Sequence, residues 1–136
     1  MGLIHMITIT HEAKVEAADV AEVFKNSGIK RPYEDIARIQ QMIDHADVIV
    51  SAWSEGKLIG MARAITDYVY CCYLSDLAVD KSFQGQHVGK QLVAYLQNQL
   101  GNEVSMVLIS APGAVDFYPK IGFEKSDRAF IIPRKR

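Results

Sequence analysis

The spacing of apolar side chains along the chain predicts an alternation of strands and helices. Residues 6–10 are rich in β-branched side chains, which predicts a first strand. Residues 15–27 repeat apolar side chains at helical spacing and stop before Gly28, a common helix end. Pro32 is a favoured first helical residue, so a second helix is expected over residues 33–46. One face of that helix would carry Ile36, Ile39, Met42 and Ile43.

Three strands are expected in the middle of the chain. Residues 48–53 and 58–65 are mainly apolar and are joined by a glycine-containing turn, which predicts an antiparallel hairpin. Residues 70–79 form a further strand, aromatic and apolar but with Ser75 and Asp76 embedded in it.

The last third of the chain predicts a return to helices and strands. Residues 88–100 have the pattern of a helix that ends at Gly101, and residues 104–109 form an apolar run typical of a buried strand. A short helix over residues 114–121 and one or two edge strands over residues 123–132 complete the order β-α-α-β-β-β-α-β-α-β. The strand-helix-strand unit in this part should be a right-handed crossover to a parallel neighbour, so the sheet is mixed.

Length and charge narrow the class of protein. The chain has 136 residues, which suits one domain, taken here as residues 6–136 with residues 1–5 interpreted as a vector-derived remnant. Lys and Arg number 15 and Asp and Glu 16, giving a formal net charge of −1. The chain therefore lacks the surplus of basic residues that is expected of a nucleic-acid-binding protein. No apolar stretch has membrane-spanning length and no secretory leader pattern is present, so no membrane partner is expected.

The cysteines and histidines argue against disulfides and metal. Cys71 and Cys72 are adjacent, and neighbours on a strand point to opposite faces, so no disulfide is expected. This cysteine use favours a reducing compartment, and we predict a cytoplasmic location. No metal site is expected, because His11, His45 and His87 lack metal-ligand spacing.

The stretch of residues 77–92 indicates an anion site. A buried strand there runs into a glycine-containing turn that opens a helix. Backbone N–H groups at a helix start have no internal partners, and the helix dipole adds positive potential, which together suit a phosphate. Gly85 and Gly89 permit a close approach of the backbone, and Lys90 adds charge. The spacing matches neither the Walker pattern nor the dinucleotide fingerprint.

Two segments carry a family resemblance. The turn resembles the acyl-CoA-binding signature of the GCN5-related N-acetyltransferase (GNAT) superfamily, Gln/Arg-x-x-Gly-x-Gly/Ala, with Gln84 at the first position and Gly89 at the last. His87 stands in place of the usual central glycine, a departure that requires a backbone conformation open to histidine. Downstream, residues 114–123 resemble the segment Ala-x-x-Phe-Tyr-x-Lys-x-Gly-Phe. Both occur in the expected order, and the resemblance covers nearly the whole chain.

The resemblance implies a fold and a co-substrate. The fold is a single α/β domain with a mixed, mostly antiparallel sheet, a central parallel strand pair splayed at a β-bulge, and helices on both faces. The co-substrate is acetyl-CoA, with no metal. Its pantetheine arm would pair with the backbone of Leu77, Ala78 and Val79. Its pyrophosphate would bind in the turn formed by Gln84, Gly85, Gln86, His87, Val88, Gly89 and Lys90.

Catalytic roles follow from the same resemblance. Tyr118 would lie near the CoA sulfur and protonate the departing thiolate, which its ordinary pKa of about 10 allows. Asp76 is a candidate general base, and the competing interpretation, which we favour, is a carboxylate satisfied by backbone or serine donors. Tyr73 with a water chain, or direct capture of the free amine, are alternatives. The resemblance places the acceptor site near residues 29–33 and near Asp67–Tyr68. Tyr33, Glu34 and Asp35 could bind a cationic amine, although acids in a first helical turn also complement the helix dipole.

The acceptor and the activity itself have alternatives. The acceptor is an amine of a small molecule or of a polypeptide. A non-catalytic acyl-CoA-binding domain and a transferase of a longer acyl group are competing hypotheses. A homodimer is left open by the resemblance.

Overall fold

Five strands form one sheet whose spatial order follows the sequence. The computed structural model describes residues 6–135. Its strands are β1 (Ile7–Thr10), β2 (Val48–Ser54), β3 (Lys57–Thr66), β4 (Cys71–Val79) and β5 (Ser105–Val107). Neighbouring strands are antiparallel except β4 and β5, which run parallel. The predicted mixed, mostly antiparallel sheet with one parallel pair is therefore confirmed. The interpretation of residues 1–5 falls outside the described residues.

Helices cover both faces of this sheet. They are α1 (Ala17–Ser27), α2 (Ile36–Asp44), α3 (Val88–Leu100) and α4 (Phe117–Lys120), with short 3₁₀ turns at Lys81–Phe83 and Pro112–Ala114. On one face, α1 and α2 pack on the sheet through Val20, Val23, Phe24, Ile39 and Met61. On the other face, α3 packs on the sheet through Val50, Ile59, Leu74, Val88, Leu92 and Leu96.

The second helix begins later than its sequence predicts. Asp35, not the residue before Pro32, occupies the N-cap, where its carboxylate accepts a hydrogen bond from the backbone N of Arg38 at 3.1 Å. A side-chain cap of this kind satisfies one of the free backbone N–H groups at a helix start and so favours a start at Asp35. Ile39 is fully buried, whereas Ile36 is 45% exposed, so the predicted apolar face is only partly covered.

The prediction for the C-terminal third was partly wrong. β5 is three residues long and partly exposed, although a longer buried strand was expected. The predicted helix over residues 114–121 is a 3₁₀ turn followed by the four-residue α4. Residues 123–135 form no strand, and large apolar side chains there are exposed: Phe130, Ile131 and Ile132. An apolar run indicates burial only where other elements cover both of its faces.

A β-bulge interrupts the pairing of β3 with β4. Arg63 lies opposite Asp76 and Ala64 lies opposite Leu74, so Ser75 has no partner on β3. The extra residue is the mark of a bulge, which bends the strand and re-aims its side chains. The bulge that the resemblance implied is therefore present, at Ser75.

The bulge reverses which face of the sheet each side chain of β4 meets. Before it, Cys72 and Leu74 pack in the α3-side core. After it, Leu77 packs on that side, while Ala78 packs against α1 and α2. Because strand side chains alternate, Asp76 shares the face of Ala78. If Ser75 were paired as in a regular strand, the carboxylate of Asp76 would follow Cys72 and Leu74 into an apolar core.

Candidate active site

The parallel strands β4 and β5 separate soon after they meet. They pair only at Cys71–Ser105, Cys72–Met106 and Tyr73–Val107. Beyond that point the second half of β4 is paired only with β3. The structure thus gives Leu77, Ala78 and Val79 no strand partner on the β5 side, which suits pairing with an extended ligand.

The turn after β4 leads directly into the start of α3. His87 is the N-cap residue and supplies no side-chain cap to the helix. The first backbone N–H inside the helix that finds an acceptor is that of Gln91, which bonds the His87 carbonyl at 3.0 Å. The amides of Val88, Gly89 and Lys90 therefore lack intrahelical acceptors, as expected at a helix start. Such amides and the helix dipole favour a bound anion.

His87 adopts the conformation that a glycine would adopt at this point. Its φ is 65° and its ψ 16°, in the left-handed region, and Gly85 nearby has φ 82°. Histidine is among the residues enriched there, unlike β-branched residues. His87 therefore preserves the left-handed backbone conformation that the usual glycine of the signature would adopt in this turn.

Gln84 ties the turn to two other elements. Its side-chain Nε2 donates to the carbonyl of Val79 at 2.8 Å and to the carbonyl of Ser27 at 3.2 Å. Ser27 ends α1 and Val79 ends β4, so one amide group joins both to the turn. Gln86, two residues on, makes only a long contact to the Ser82 carbonyl at 3.4 Å. Gln84, the first residue of the signature, therefore holds the turn in place through its side chain in this structure.

The absence of a side chain at Gly89 has a packing reason. A Cβ placed there would lie 3.3 Å from Cζ of Phe117 and 3.9 Å from Cδ2 of Leu77. The first distance is tighter than an ordinary van der Waals contact. Gly89 thus lets the first turn of α3 approach the ring of Phe117, next to Tyr118.

Tyr118 sits half-buried at the start of α4. Its ring makes edge-to-face contacts with Phe117 at 5.1 Å and Phe123 at 5.5 Å between centroids. Among residues 6–135 its hydroxyl has no hydrogen-bond partner, so it is free to meet a ligand. Burial raises the pKa of Tyr118 above its usual value, and the charge of Arg31 partly opposes this rise. The phenol is therefore protonated at neutral pH.

Asp76 lies between two arginines. Its side chain is fully buried, and Oδ1 accepts from Nε of Arg31 at 2.5 Å while Oδ2 accepts from Nε of Arg63. The bulge residue Ser75 is bonded by the same pair: its carbonyl accepts from Arg31 Nη2 at 2.7 Å and its hydroxyl from Arg63 Nη2 at 2.9 Å. An acceptor amine would have to displace an arginine to reach this carboxylate.

Sequence reasoning missed both arginine partners of Asp76. Arg31 and Arg63 lie 45 and 13 residues from Asp76 along the chain. One available signal was a pair of opposite charges embedded in two consecutive apolar strands, since buried charges are usually paired.

Several predicted acceptor residues already have structural roles. Asp35 caps α2, as described above. The Asp67 carboxylate accepts the backbone N–H groups of Val69, Tyr70 and Cys71 at 2.8–3.1 Å, and these bonds lower its pKa to about 2. Tyr68 donates its hydroxyl to the Asp47 carbonyl at 2.6 Å. Tyr33 and Glu34 make no such side-chain contact within the described range, so they remain candidates to meet an acceptor.

Other chemistry finds little support in the described part of the chain. Cys71 is exposed and Cys72 is buried, which raises the pKa of the Cys72 thiol. Residues 6–135 contain no cluster of three metal-ligating side chains. None of their helices is long and apolar enough to cross a membrane.

An open groove of about 930 Å³ lies beside Leu100, Val104, Met106 and Phe123 and includes none of the predicted site residues.

Comparison with known proteins agrees with the geometry. The family model described as an acetyltransferase (GNAT) domain matches residues 13–131. The chain is 44% identical over 75 residues to GCN5-related N-acetyltransferase 2, chloroplastic, of Arabidopsis thaliana, covering 52% of this chain and 28% of that protein. It is 30% identical over 129 residues to an uncharacterized N-acetyltransferase, ycf52, of Gracilaria tenuistipitata var. liui, covering 90% and 69%.

Solved structures share the fold. A probable acetyltransferase of unknown function from meticillin-resistant Staphylococcus aureus superposes with a TM-score of 0.80 at 24% identity, covering 95% of this chain and all of that one. The aminoglycoside N-acetyltransferase AAC(6')-Iy in complex with CoA gives a TM-score of 0.72 at 20% identity, covering 100% and 99%. The chain spans 28% of the Arabidopsis protein and 54% of a probable acetyltransferase of Glycine max. Since the domain model spans most of the sequence and the splayed strands, turn and α4 segment accord with it, the chain belongs to the GNAT acetyltransferase family.

Proposed function

We propose that this protein transfers the acetyl group of acetyl-CoA to an amine by direct attack in a ternary complex. The observation that carries the proposal is the separation of β4 from β5 immediately before the uncapped start of α3. This arrangement offers strand-like backbone groups and a cluster of free amides within one continuous segment. The two features match the pantetheine arm and the pyrophosphate of a single CoA molecule.

Binding is divided among consecutive parts of the chain. Leu77, Ala78 and Val79 would pair with the extended arm of the co-substrate. The amides of residues 86–90 would hold the pyrophosphate, supported by Gly85 and by the side-chain brace of Gln84. An amide near Val79 would donate to the thioester carbonyl, a contribution of about 3 kcal/mol for a fixed donor to an oxyanion.

The chemical step needs one acid from the protein. The amine nitrogen forms a bond to the carbonyl carbon, the bond from that carbon to sulfur breaks, and the proton lost from nitrogen passes to solvent. Tyr118 gives its phenolic proton to the departing thiolate and is later reprotonated from solvent. Its free hydroxyl and raised pKa support this assignment, because both keep a proton available at neutral pH.

A dedicated general base is not required by this proposal. Both oxygens of Asp76 are engaged by guanidinium groups, so we favour capture of the free amine over proton abstraction by Asp76. Tyr73 is 42% exposed on β4 and stays an alternative route through water. The proposal allows an acceptor amine on either a small molecule or a polypeptide. A longer acyl group remains an alternative, and a cytoplasmic location and a homodimer remain predictions. Relatives named as chloroplastic make an organelle a competing location.

Two measurements test the proposal. The first is thermal unfolding with acetyl-CoA, where ligand at about 100 Kd should add about 2.7 kcal/mol of stability. No shift at millimolar acetyl-CoA would refute the binding assignment. The second is CoA release with a panel of arylalkylamines, polyamines and peptides. A thermal shift without turnover on any amine would favour the non-catalytic alternative.

The role of Tyr118 is tested with matched tyrosine variants. Tyr118→Phe should lower kcat about 10²-fold, within the usual range for a general acid, and leave acetyl-CoA affinity nearly unchanged. Tyr95→Phe is the control, because that hydroxyl bonds His11 at 2.6 Å and belongs to none of the predicted site residues. Equal kcat values for the two variants across pH 6–9 would contradict the acid role.

A further inference from the structure

The cluster of Arg31, Arg63 and Asp76 satisfies the polar groups of the β4 bulge. Ser75 has no partner on β3, so its carbonyl and hydroxyl would lose bonding partners without the two arginines. The buried carboxylate of the next residue holds both guanidinium groups in place. Since buried polar groups must be bonded, the cluster replaces the ladder contacts that the bulge removes.

Arg31 and Arg63 reach the bulge from different parts of the fold. Arg63 belongs to β3 and is 12% exposed, whereas Arg31 belongs to the connection between α1 and α2 and is 27% exposed. Arg31 also bonds the carbonyl of Lys30 at 2.7 Å within its own segment. Its side chain thus attaches residues 29–35, where the acceptor is expected, to the strand that the proposed function assigns to the thioester.

Arg31 lies close enough to Tyr118 for its charge to act on the phenol. Burial raises the pKa of Tyr118 and Arg31 lowers it, with no other charged group contributing among residues 6–135. Arg31 is therefore linked to three parts of the site: the acceptor-side connection, the bulge and the candidate acid.

We propose that Asp76 and Arg31 are positioning residues, the carboxylate holding the guanidinium so that it fastens residues 29–35 to the β4 bulge beside Tyr118. This inference rests on the proposed function for its meaning in catalysis. It assigns Asp76 a task other than proton abstraction and makes Arg31 the contact between the acceptor side and the acid. Residues 29–35 are then the acceptor-side wall of the site, held in place by Arg31.

The first test is the titration of Tyr118 in the ligand-free protein. Carbon-13 labelling at tyrosine Cζ, assigned with Tyr118→Phe, reports the phenol directly. Arg31→Gln should raise its pKa, because a nearby positive charge is removed. Asp76→Asn should raise it as well, because Arg31 then loses the carboxylate that holds its charge near the phenol. Shifts of the same sign support the proposal, and no shift or shifts of opposite sign overturn it.

The matched control is Arg63→Gln, which removes the same charge from the other oxygen of Asp76. It should shift the titration of Tyr118 less than Arg31→Gln does. Hydrogen exchange gives a second readout: the amides of Tyr33 and Asp35, bonded to the carbonyls of Arg31 and Pro32, should exchange at least tenfold faster in Arg31→Gln. They should change less than threefold in Arg63→Gln. Equal exchange in both variants would overturn the proposal.

The outcomes separate this inference from the proposed function. Should Asp76→Asn fail to fold, the comparison of Arg31→Gln with Arg63→Gln decides the question alone. Should Tyr118 titrate as expected while its removal leaves kcat unchanged, the positioning role holds and the acid role fails. A turnover defect in Tyr118→Phe without any effect of Arg31→Gln on exchange or titration would support the acid role and overturn the positioning role.

Discussion

The side-chain brace of Gln84 can be tested by a single change of one functional group. Gln84→Glu keeps the size of the side chain but replaces an amide donor with a carboxylate. The Nε2 group of Gln84 donates to the carbonyls of Val79 and Ser27. The carboxylate cannot donate to either and repels both carbonyl oxygens. We therefore expect the turn, the end of β4 and the end of α1 to lose a shared attachment.

The magnitude follows from these two contacts. A hydrogen bond contributes about 0.5–1.5 kcal/mol to stability, and the exposure of Gln84 places both contacts toward the lower end. The expected loss is about 1–2 kcal/mol. In a domain of this size 1 kcal/mol corresponds to about 4 °C in Tm, so a decrease of about 4–8 °C is expected.

Gln86→Glu is the matched control for Gln84→Glu. It adds the same charge to the same turn and loses only the 3.4 Å contact to the Ser82 carbonyl. Its Tm should fall by less than about 2 °C. Both variants should weaken acetyl-CoA binding through charge, and calorimetry should find the larger loss in Gln84→Glu. Equal thermal stability of the two variants would refute the idea that Gln84 builds the turn.

Three further changes test the backbone and the loop. His87→Gly should leave Tm unchanged or slightly higher, whereas His87→Val should cost about 1–3 kcal/mol, because a β-branched residue at φ 65° is strained. Gly60→Ala should cost about 1–3 kcal/mol, because the new Cβ would lie 3.2 Å from the Ala78 carbonyl oxygen, and Gly113→Ala, with open space around it, should not. The pKa of Asp67 is lowered to about 2 in the folded protein, so the ionised carboxylate adds to the free energy of unfolding above about pH 4. That contribution is lost as pH falls toward 2. The difference in Tm between the wild type and Asp67→Asn should therefore vanish near pH 2, and a constant difference would contradict the three backbone contacts of Asp67.

The sequence predicted α3 and the turn before it closely. The helix spans Val88–Leu100 and is followed by Gly101, as its spacing of apolar residues indicated. Gly28 likewise ends α1 with φ 86°. These features are set by local rules, since a glycine with positive φ and a repeat of apolar residues need no knowledge of distant neighbours.

The features that the sequence did not predict depend on tertiary contacts. The start of α2 is an exception, because a local side-chain cap at Asp35 competed there with the signal of Pro32. The brevity of β5 reflects its partners, because only the first residues of β4 meet it. The packing of Gly89 against Phe117 joins two segments that no local pattern connects.

The candidate site shows the same division. The residues of the anion-binding turn and Tyr118 could be named from their motifs, because these motifs are continuous in sequence. The arginine partners of Asp76 could not, since the bulge that turns Asp76 toward them is a property of strand pairing. Interpreting Asp76 as a satisfied carboxylate was closer to the structure than interpreting it as a base, although its donors are arginines.

The bulge also decides which changes in the length of β4 the fold can absorb. Deleting Ser75 would place Asp76 directly after Leu74, so the alternation of a regular strand would keep every later side chain on its present face. Drawing Ser75 into regular pairing with β3 would instead shift every later residue of the strand to the opposite face. The carboxylate of Asp76 would then enter the apolar core beneath α3, and Leu77 would leave it. The sidedness of the second half of β4 therefore depends on Ser75 staying outside the pairing with β3, and deletion of Ser75 is compatible with that sidedness.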